Sequence, residues 1–148
     1  MSEFASPWSS PGFLLWHATL RWQREVQAAL RPLDLTHVQF VLLAATWWLG
    51  SRGERPSQRQ LAGHAGTDVM MTSQVVRALE SKGLLLRDAD PDDARAYLLS
   101  VTSKGRTLAE RAISTVEGVD RAFFAAAGGD PRLVDLLRVL VAPVAVRA

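Results

Sequence analysis

Residues 57–105 constrain the fold more than any other part of the sequence, because their pattern predicts two short helices and a hairpin in close succession. Ser57 and Gln60 match a capping box, which is typical of a helix start, so residues 57–66 predict the first helix and its exit. Residues 68–82 predict the second helix. A glycine follows each of them and suits the left-handed conformation that often ends a helix.

A β-hairpin is predicted directly after the second helix. Residues 84–87 and 97–101 are short apolar segments bounded by turn residues, as strands often are. Residues 88–96 between them are rich in Asp and predict a solvated tip. Helix, turn, helix and hairpin in this order are typical of a winged helix-turn-helix, which places its second helix in the major groove of DNA. We therefore expect a mainly α fold with a small β-hairpin wing.

Long amphipathic segments flank this unit. Residues 12–32 and 103–146 carry apolar stripes at helical spacing. Residues 37–49, preceded by a capping box, predict a helix that is apolar almost all round and belongs in the middle of the domain. Two long apolar stripes are not expected in a monomer. We therefore expect 12–32 and 103–146 to be dimerisation helices around a DNA-binding core at 36–102, within one domain spanning 1–148.

The composition excludes several classes of protein. The chain has no Cys, which excludes disulfides and thiolate chemistry, and its three His lack metal-ligand spacing, so we expect no metal and no cofactor. No apolar run approaches the roughly 18 to 20 residues of a membrane span, and no signal-peptide pattern opens the chain. We therefore expect a cytoplasmic protein without membrane contact. Residues 1–11, rich in Ser and Pro, predict a loose arm.

No arrangement of residues points to an enzyme. The sequence contains no Ser–His–Asp arrangement, no phosphate-binding glycine loop and no dinucleotide fingerprint. The Asp-rich segment 88–93 lacks the turning Gly and the closing Glu of a calcium loop. The formal charge of +2 and a pI of about 9.7 give a mild basic bias that is compatible with binding to nucleic acid.

One face of the second predicted helix carries the candidate base-reading residues. Gln74 can bond adenine through two hydrogen bonds, Arg77 can bond guanine, and Ser73 can serve a base or a phosphate. Met70 and Met71 can touch a thymine methyl group. The alternative is an ordinary solvated helix face. We favour DNA because this face is uncharged near its N-terminus and is followed by a ribbon that bears an Arg.

Arg95 is the candidate wing residue. It follows several Asp at the predicted tip and can enter a minor groove, where the potential is most negative. Asp93 can hold its guanidinium by a charge-assisted bond. The alternative is a local surface ion pair. We expect Ser57, Arg59 and Arg87 to contact phosphates.

Five segments of the sequence form a recognisable series: Leu-Thr-His-Val-Gln-Phe at 35–40, Gln-Leu-Ala at 60–62, Leu-Glu-Ser-Lys-Gly-Leu at 79–84, Asp-Pro-Asp-Asp-Ala-Arg at 90–95 and Val-Thr-Ser-Lys-Gly at 101–105. In order and spacing they resemble the MarR family of bacterial transcriptional regulators. Each segment alone is a weak signal, whereas five in order are a strong one. The resemblance spans the chain from about residue 12 to residue 146.

The resemblance implies a homodimer whose first, fifth and sixth helices interlock. The two winged domains would meet successive major grooves of a pseudo-palindromic operator, with residues 69–82 in the major groove and Arg95 in the minor groove. It also implies a ligand-responsive repressor, whose small and often aromatic effector binds between the dimer helices and the winged domain.

Aromatic residues of the first two predicted helices are candidate walls of that effector site. Five Trp in 148 residues is a high number. Plain packing in the core or the dimer is one interpretation, and a pocket for an aromatic small molecule is the other. The candidate pocket residues are Trp16, Leu20, His37, Phe40 and Trp47.

The sequence departs from the family pattern on its reading face. Many relatives have Ser or Thr where Met70 and Met71 stand, and Arg where Gln74 stands. A second wing Arg that is common in relatives is Ala94 here. The absence of Cys excludes the peroxide-sensing thiol branch of the family. The Met pair also gives an alternative function, a winged-helix module that docks a partner protein without specific DNA binding.

Overall fold

Six α-helices and one two-stranded antiparallel hairpin make up the computed structural model, which describes residues 1–145. The elements in chain order are α1 (Pro11–Leu30), α2 (His37–Ser51), α3 (Gln58–Ala65), α4 (Val69–Ser81), β1 (Leu85–Asp90), β2 (Asp93–Val101), α5 (Ser103–Phe124) and α6 (Arg132–Ala145). The predicted order of helix, turn, helix and hairpin is confirmed. Position 146 of the predicted segment 103–146 lies outside the described residues, as do positions 146–148 of the predicted domain range 1–148.

The helix starts follow the local sequence signals. Thr36 and Ser57 each accept a hydrogen bond from the backbone of the Gln three residues later, and that Gln bonds back, so both capping boxes form. Asp68 caps α4 by accepting from two backbone N–H groups. The chain leaves α3 at Gly66 in the left-handed region, with φ of 71°.

The core lies between α2, α4, α5 and the base of the wing. One stripe of α4 is buried, namely Thr72, Val75, Val76 and Leu79, which recur at helical spacing. From α2 it meets Leu42, Leu43 and Leu49, which confirms the central position of that helix. Trp48 departs from this pattern, because its side chain is 44% exposed at the outer side of α2.

The predicted polar tip at 88–96 is wrong in its extent. The strands run through most of this segment and pair from Leu85 with Val101 to Ala89 with Tyr97, so the turn is confined to the two residues between β1 and β2. A two-stranded ribbon that stands out from the domain exposes both of its faces to water. Asp side chains are therefore tolerated along it, and composition alone gave too long a turn.

The N-terminal arm is less loose than the sequence predicts. Pro7–Ser9 forms a 3-10 turn, and Ser10 caps α1, which begins at Pro11. The ring of Trp8 lies 4.9 Å from that of Phe13, edge to face, so the arm folds back on the first turns of α1.

Apolar side chains remain uncovered at the two ends of the chain. Every residue of α6 from 134 to 142 is exposed, including six large apolar side chains, Val134, Leu136, Leu137, Val139, Leu140 and Val141. On α1, Leu14, Leu15 and Trp16 are exposed as well. No helix within residues 1–145 is long and apolar enough to cross a membrane.

Candidate nucleic-acid interface

The outer face of α4 presents the predicted reading residues together. Met70 is 74% exposed, Gln74 and Arg77 are exposed, and Ser73 is half-buried. These four residues share one side of the helix because they are spaced by three or four positions. Met71, 41% exposed, lies one step around the helix. The buried stripe on the opposite side fixes which residues face outward.

Polar contacts hold the start of α4 in place. The carboxylate of Asp68 accepts hydrogen bonds from the backbone N–H groups of Met70, at 2.9 Å, and Met71, at 3.2 Å. The hydroxyls of Thr67 and Thr72 are 2.7 Å apart, which connects the α3–α4 turn to the helix. The orientation of the reading face therefore depends on buried packing and on a capped first turn.

Two of the three predicted phosphate contacts, Ser57 and Arg59, lie at the start of α3. Arg59 is exposed and forms no ion pair with any residue in the range 1–145. The hydroxyl of Ser57 accepts from the backbone N–H of Gln60 at 3.2 Å, and its proton remains available to a phosphate oxygen.

Arg95 lies on β2 and not at the turn itself, because β2 already begins at Asp93. The expected ion pair between these two side chains is not present in the described part of the chain. The carboxylate of Asp93 accepts instead from the backbone N–H of Arg95, at 3.0 Å. A short Asp side chain reaches the N–H two residues later with little loss of entropy, whereas pairing would also immobilise a long guanidinium. The exposed guanidinium is left available for an outside partner.

The acidic residues of the wing are partly neutralised within the protein. Asp88 pairs with Arg55 at 2.7 Å, and Asp90 accepts from the backbone N–H of Asp92 at 2.9 Å. Sequence reasoning missed Arg55, because it lies 33 positions before its partner in a loop with no motif. The ion pair with Arg55 neutralises the charge of Asp88, which would otherwise repel phosphate from the wing.

Arg87 has a structural role that the predicted phosphate contact did not include. Its Nε donates to Glu80 of α4 at 2.8 Å, and its guanidinium lies over the ring of Tyr97, 4.9 Å from the centroid. The side chain is half-buried at the junction of α4 and the wing. Arg87 therefore links the two elements that face DNA in a winged helix-turn-helix.

The candidate pocket residues lie on α1 and α2 but do not surround one common cleft within residues 1–145. Trp16 is 63% exposed, whereas Leu20, Phe40 and Trp47 are half-buried, and the last two pack against the core. A cleft of about 430 Å³ beside the start of α2 is lined by His37 but by none of the other four. A cleft of about 790 Å³ between α1 and α5 contains none of the five.

A polar contact joins three helices near His37. The indole N–H of Trp22 on α1 donates to Asp120 on α5 at 2.8 Å, and the Trp22 ring lies 5.1 Å from the His37 ring, edge to face. Burial lowers the pKa of His37, and the nearby charge of Asp120 opposes that effect. Asp120 was not predicted, because an Asp on an amphipathic helix gives no signal of its partner. No cluster of potential metal ligands occurs among the described residues.

Two comparisons decide the family. Residues 35–97 match the sequence model of the MarR family. The chain is 50% identical over 126 residues to the HTH-type transcriptional regulator YdcH of Bacillus subtilis, which covers 85% of this chain and 86% of YdcH. The chain belongs to the MarR family. The resemblance stated from the sequence is thereby confirmed, and members of this family are transcriptional regulators and not enzymes.

Two further relatives show the same relationship. An HTH-type transcriptional repressor of Mycobacterium tuberculosis is 35% identical over 109 residues, 74% of this MarR-family chain and 76% of the repressor. The crystal structure of CouR from Rhodococcus jostii, bound to p-coumaroyl-CoA, superposes with a TM-score of 0.80 and 25% identity. The match covers 95% of this chain and 96% of CouR, which confirms the winged-helix fold.

Proposed function

We propose that this MarR-family protein is a ligand-responsive repressor that binds a pseudo-palindromic DNA operator as a homodimer. The observation that carries the proposal is the reading face of α4. Its exposed residues are held by a buried stripe and stand beside a ribbon whose Arg95 guanidinium forms no ion pair among residues 1–145. Gln74 and Arg77 then read bases, Arg95 enters a minor groove, and Ser57 and Arg59 contact phosphates.

The homodimer is supported by the uncovered helices. A helix exposed on all sides and rich in Leu and Val is unstable in water unless another surface covers it, and α6 is such a helix from 134 to 142. The exposed apolar residues of α1 offer the second half of that surface. The substitutions Leu136→Asp and Leu140→Asp together are expected to give monomers in sedimentation velocity, whereas the wild-type protein sediments as a dimer.

The effector is supported by the similarity to CouR, which was crystallised with p-coumaroyl-CoA. We propose that Trp16, Leu20, His37, Phe40 and Trp47 form the wall of its site once a second copy covers α1. An aromatic acid or its thioester should then quench tryptophan fluorescence and weaken DNA binding. Quenching that persists in the Trp16→Leu, Trp47→Leu double variant would place the ligand elsewhere.

Selection from a random pool of DNA duplexes tests the proposal without knowledge of the operator. The expected result is an enriched site with two inverted half-sites. Arg77→Ala should relax the preference at one position in each half-site, by the roughly 1 to 3 kcal/mol that a bidentate base contact contributes. Arg24→Ala on α1 removes the same charge outside the winged domain and should leave the sequence preference unchanged.

A protein-docking module is the second candidate, and the exposed run Val69, Met70 and Met71 favours it. A surface that docks a protein gains affinity from such apolar side chains, whereas a surface that binds phosphate does not. The same selection separates the two functions, because a docking module would enrich no duplex above the starting pool.

A further inference from the structure

All of the sulfur in this chain outside its first residue lies at the exposed start of α4, on its reading face and beside it. The chain has no Cys and three Met, of which Met1 opens the chain and Met70 and Met71 are adjacent. Their side chains are 74% and 41% exposed. Apolar side chains of this length are usually buried, so two of them at the exposed start of a helix are uncommon.

Exposed thioethers are the groups that mild two-electron oxidants attack in a protein without thiols. The sulfur lone pair attacks one oxygen of a hydroperoxide, and the O–O bond breaks. That oxygen stays on sulfur as a sulfoxide, the other leaves as water or an alcohol after taking the proton, and the peroxide is reduced as sulfur is oxidised by two electrons. Reductases return the sulfoxide to the thioether, so the modification is reversible.

The structure around Met70 and Met71 confines the effect of their oxidation to the surface of α4. Both backbone N–H groups are held by Asp68, and neither side chain belongs to the buried stripe of α4. A sulfoxide replaces a flexible apolar group by a polar one that accepts hydrogen bonds. Such a group no longer suits a thymine methyl, and it competes for donors on neighbouring bases.

We propose that Met70 and Met71 form a reversible oxidation switch, in which a hydroperoxide converts their thioethers to sulfoxides and thereby weakens DNA binding. The inference rests on the proposed role of α4 in reading DNA. Such a switch would let the protein respond to oxidants through methionine side chains on the surface that binds DNA. The switch needs neither a thiol nor the effector site.

The test uses the 148-residue chain, hydrogen peroxide as the oxidant, and a duplex selected from a random pool by untreated protein. Peptide mass spectrometry follows the oxidation of each Met, and fluorescence anisotropy gives the affinity before and after treatment. We expect both thioethers to gain oxygen and the affinity to fall about fivefold or more, which is the cost of one mismatched base pair. Treatment with methionine sulfoxide reductases should restore it, and bound duplex should slow the oxidation of Met70.

The Met70→Leu, Met71→Leu double variant is the matched control, with its own untreated affinity as reference. Peroxide should leave that affinity unchanged, since Leu keeps the helix and the apolar surface but has no sulfur. The switch is refuted if fully oxidised wild-type protein binds as before, if the double variant loses affinity equally, or if Met1 oxidises while Met70 and Met71 do not. If untreated wild-type protein selects no duplex, the proposed function itself fails, which is a separate result.

Discussion

The guanidinium of Arg55 donates a hydrogen bond of 2.7 Å to the carboxylate of Asp88, which ties the α2–α3 connector to the first strand of the wing. A second link lies next to it, where the backbone N–H of Leu99 donates to the carbonyl oxygen of Pro56 at 2.8 Å. The orientation of the wing towards α3 and α4 therefore depends on this ion pair, on the pair between Arg87 and Glu80, and on a short stretch of backbone pairing.

Breaking the pair between Arg55 and Asp88 should weaken DNA binding, even when the substitution removes a negative charge that would repel phosphate. We expect Asp88→Ala to reduce the affinity about two- to fivefold, because an exposed pair contributes at most about 1 kcal/mol to holding the wing. Asp92→Ala is the matched control. It removes the same charge at the wing turn without breaking a side-chain pair, so its affinity should stay equal or rise. Anisotropy titrations that show both variants binding more tightly would mean that charge alone matters.

Arg95→Ala should lower both the affinity and its dependence on salt. Each phosphate contact that is lost reduces the slope of log affinity against log salt by about one, because fewer counterions are released on binding. The measurement is an anisotropy titration at several salt concentrations, with Arg24→Ala as the control of equal charge. An Arg95→Ala slope equal to that of wild-type protein would remove this residue from the interface.

The stability of the protein should fall in mild acid through His37. Burial holds its pKa below the ordinary value of 6.5. As the pH falls through that value, the unfolded chain takes up the proton before the folded one, so the free energy of unfolding decreases. His37→Gln removes this contribution. Urea unfolding at pH 8 and pH 5 should show the variant losing less stability than wild-type protein over that interval. Equal losses of stability in the two proteins would contradict a lowered pKa of His37 in the folded protein.

Much of the fold follows from the sequence, because its signals are local. The capping boxes at Thr36 and Ser57 and the buried stripe of α4 depend on residues within one or two helical turns. The length of the wing did not follow, since strand pairing is decided by the partner strand and not by the Asp-rich composition. The contacts of Arg55 and Asp120 were missed for the same reason, because each bridges distant parts of the chain.

The packing of α5 against the wing leaves no room for a side chain at one position. A Cβ atom at Gly105 would overlap the backbone carbonyl of Leu84. We expect Gly105→Ala to destabilise the protein by about 1 to 3 kcal/mol, the range typical of overpacking in a core. Gly118→Ala in the same helix is the control, because its Cβ would meet only the guanidinium of Arg121, at 3.7 Å. That variant should be stabilised by about 0.5 to 1 kcal/mol in thermal unfolding.

We propose that two copies of the chain hold their α4 helices at a fixed distance on DNA. Hydroxyl-radical footprinting on a selected duplex tests this arrangement most directly. We predict two protected segments about one helical turn apart, roughly 10 base pairs from centre to centre, which disappear together when α6 carries Leu136→Asp and Leu140→Asp. A single protected segment, or protection that persists in that monomeric variant, would contradict the claim.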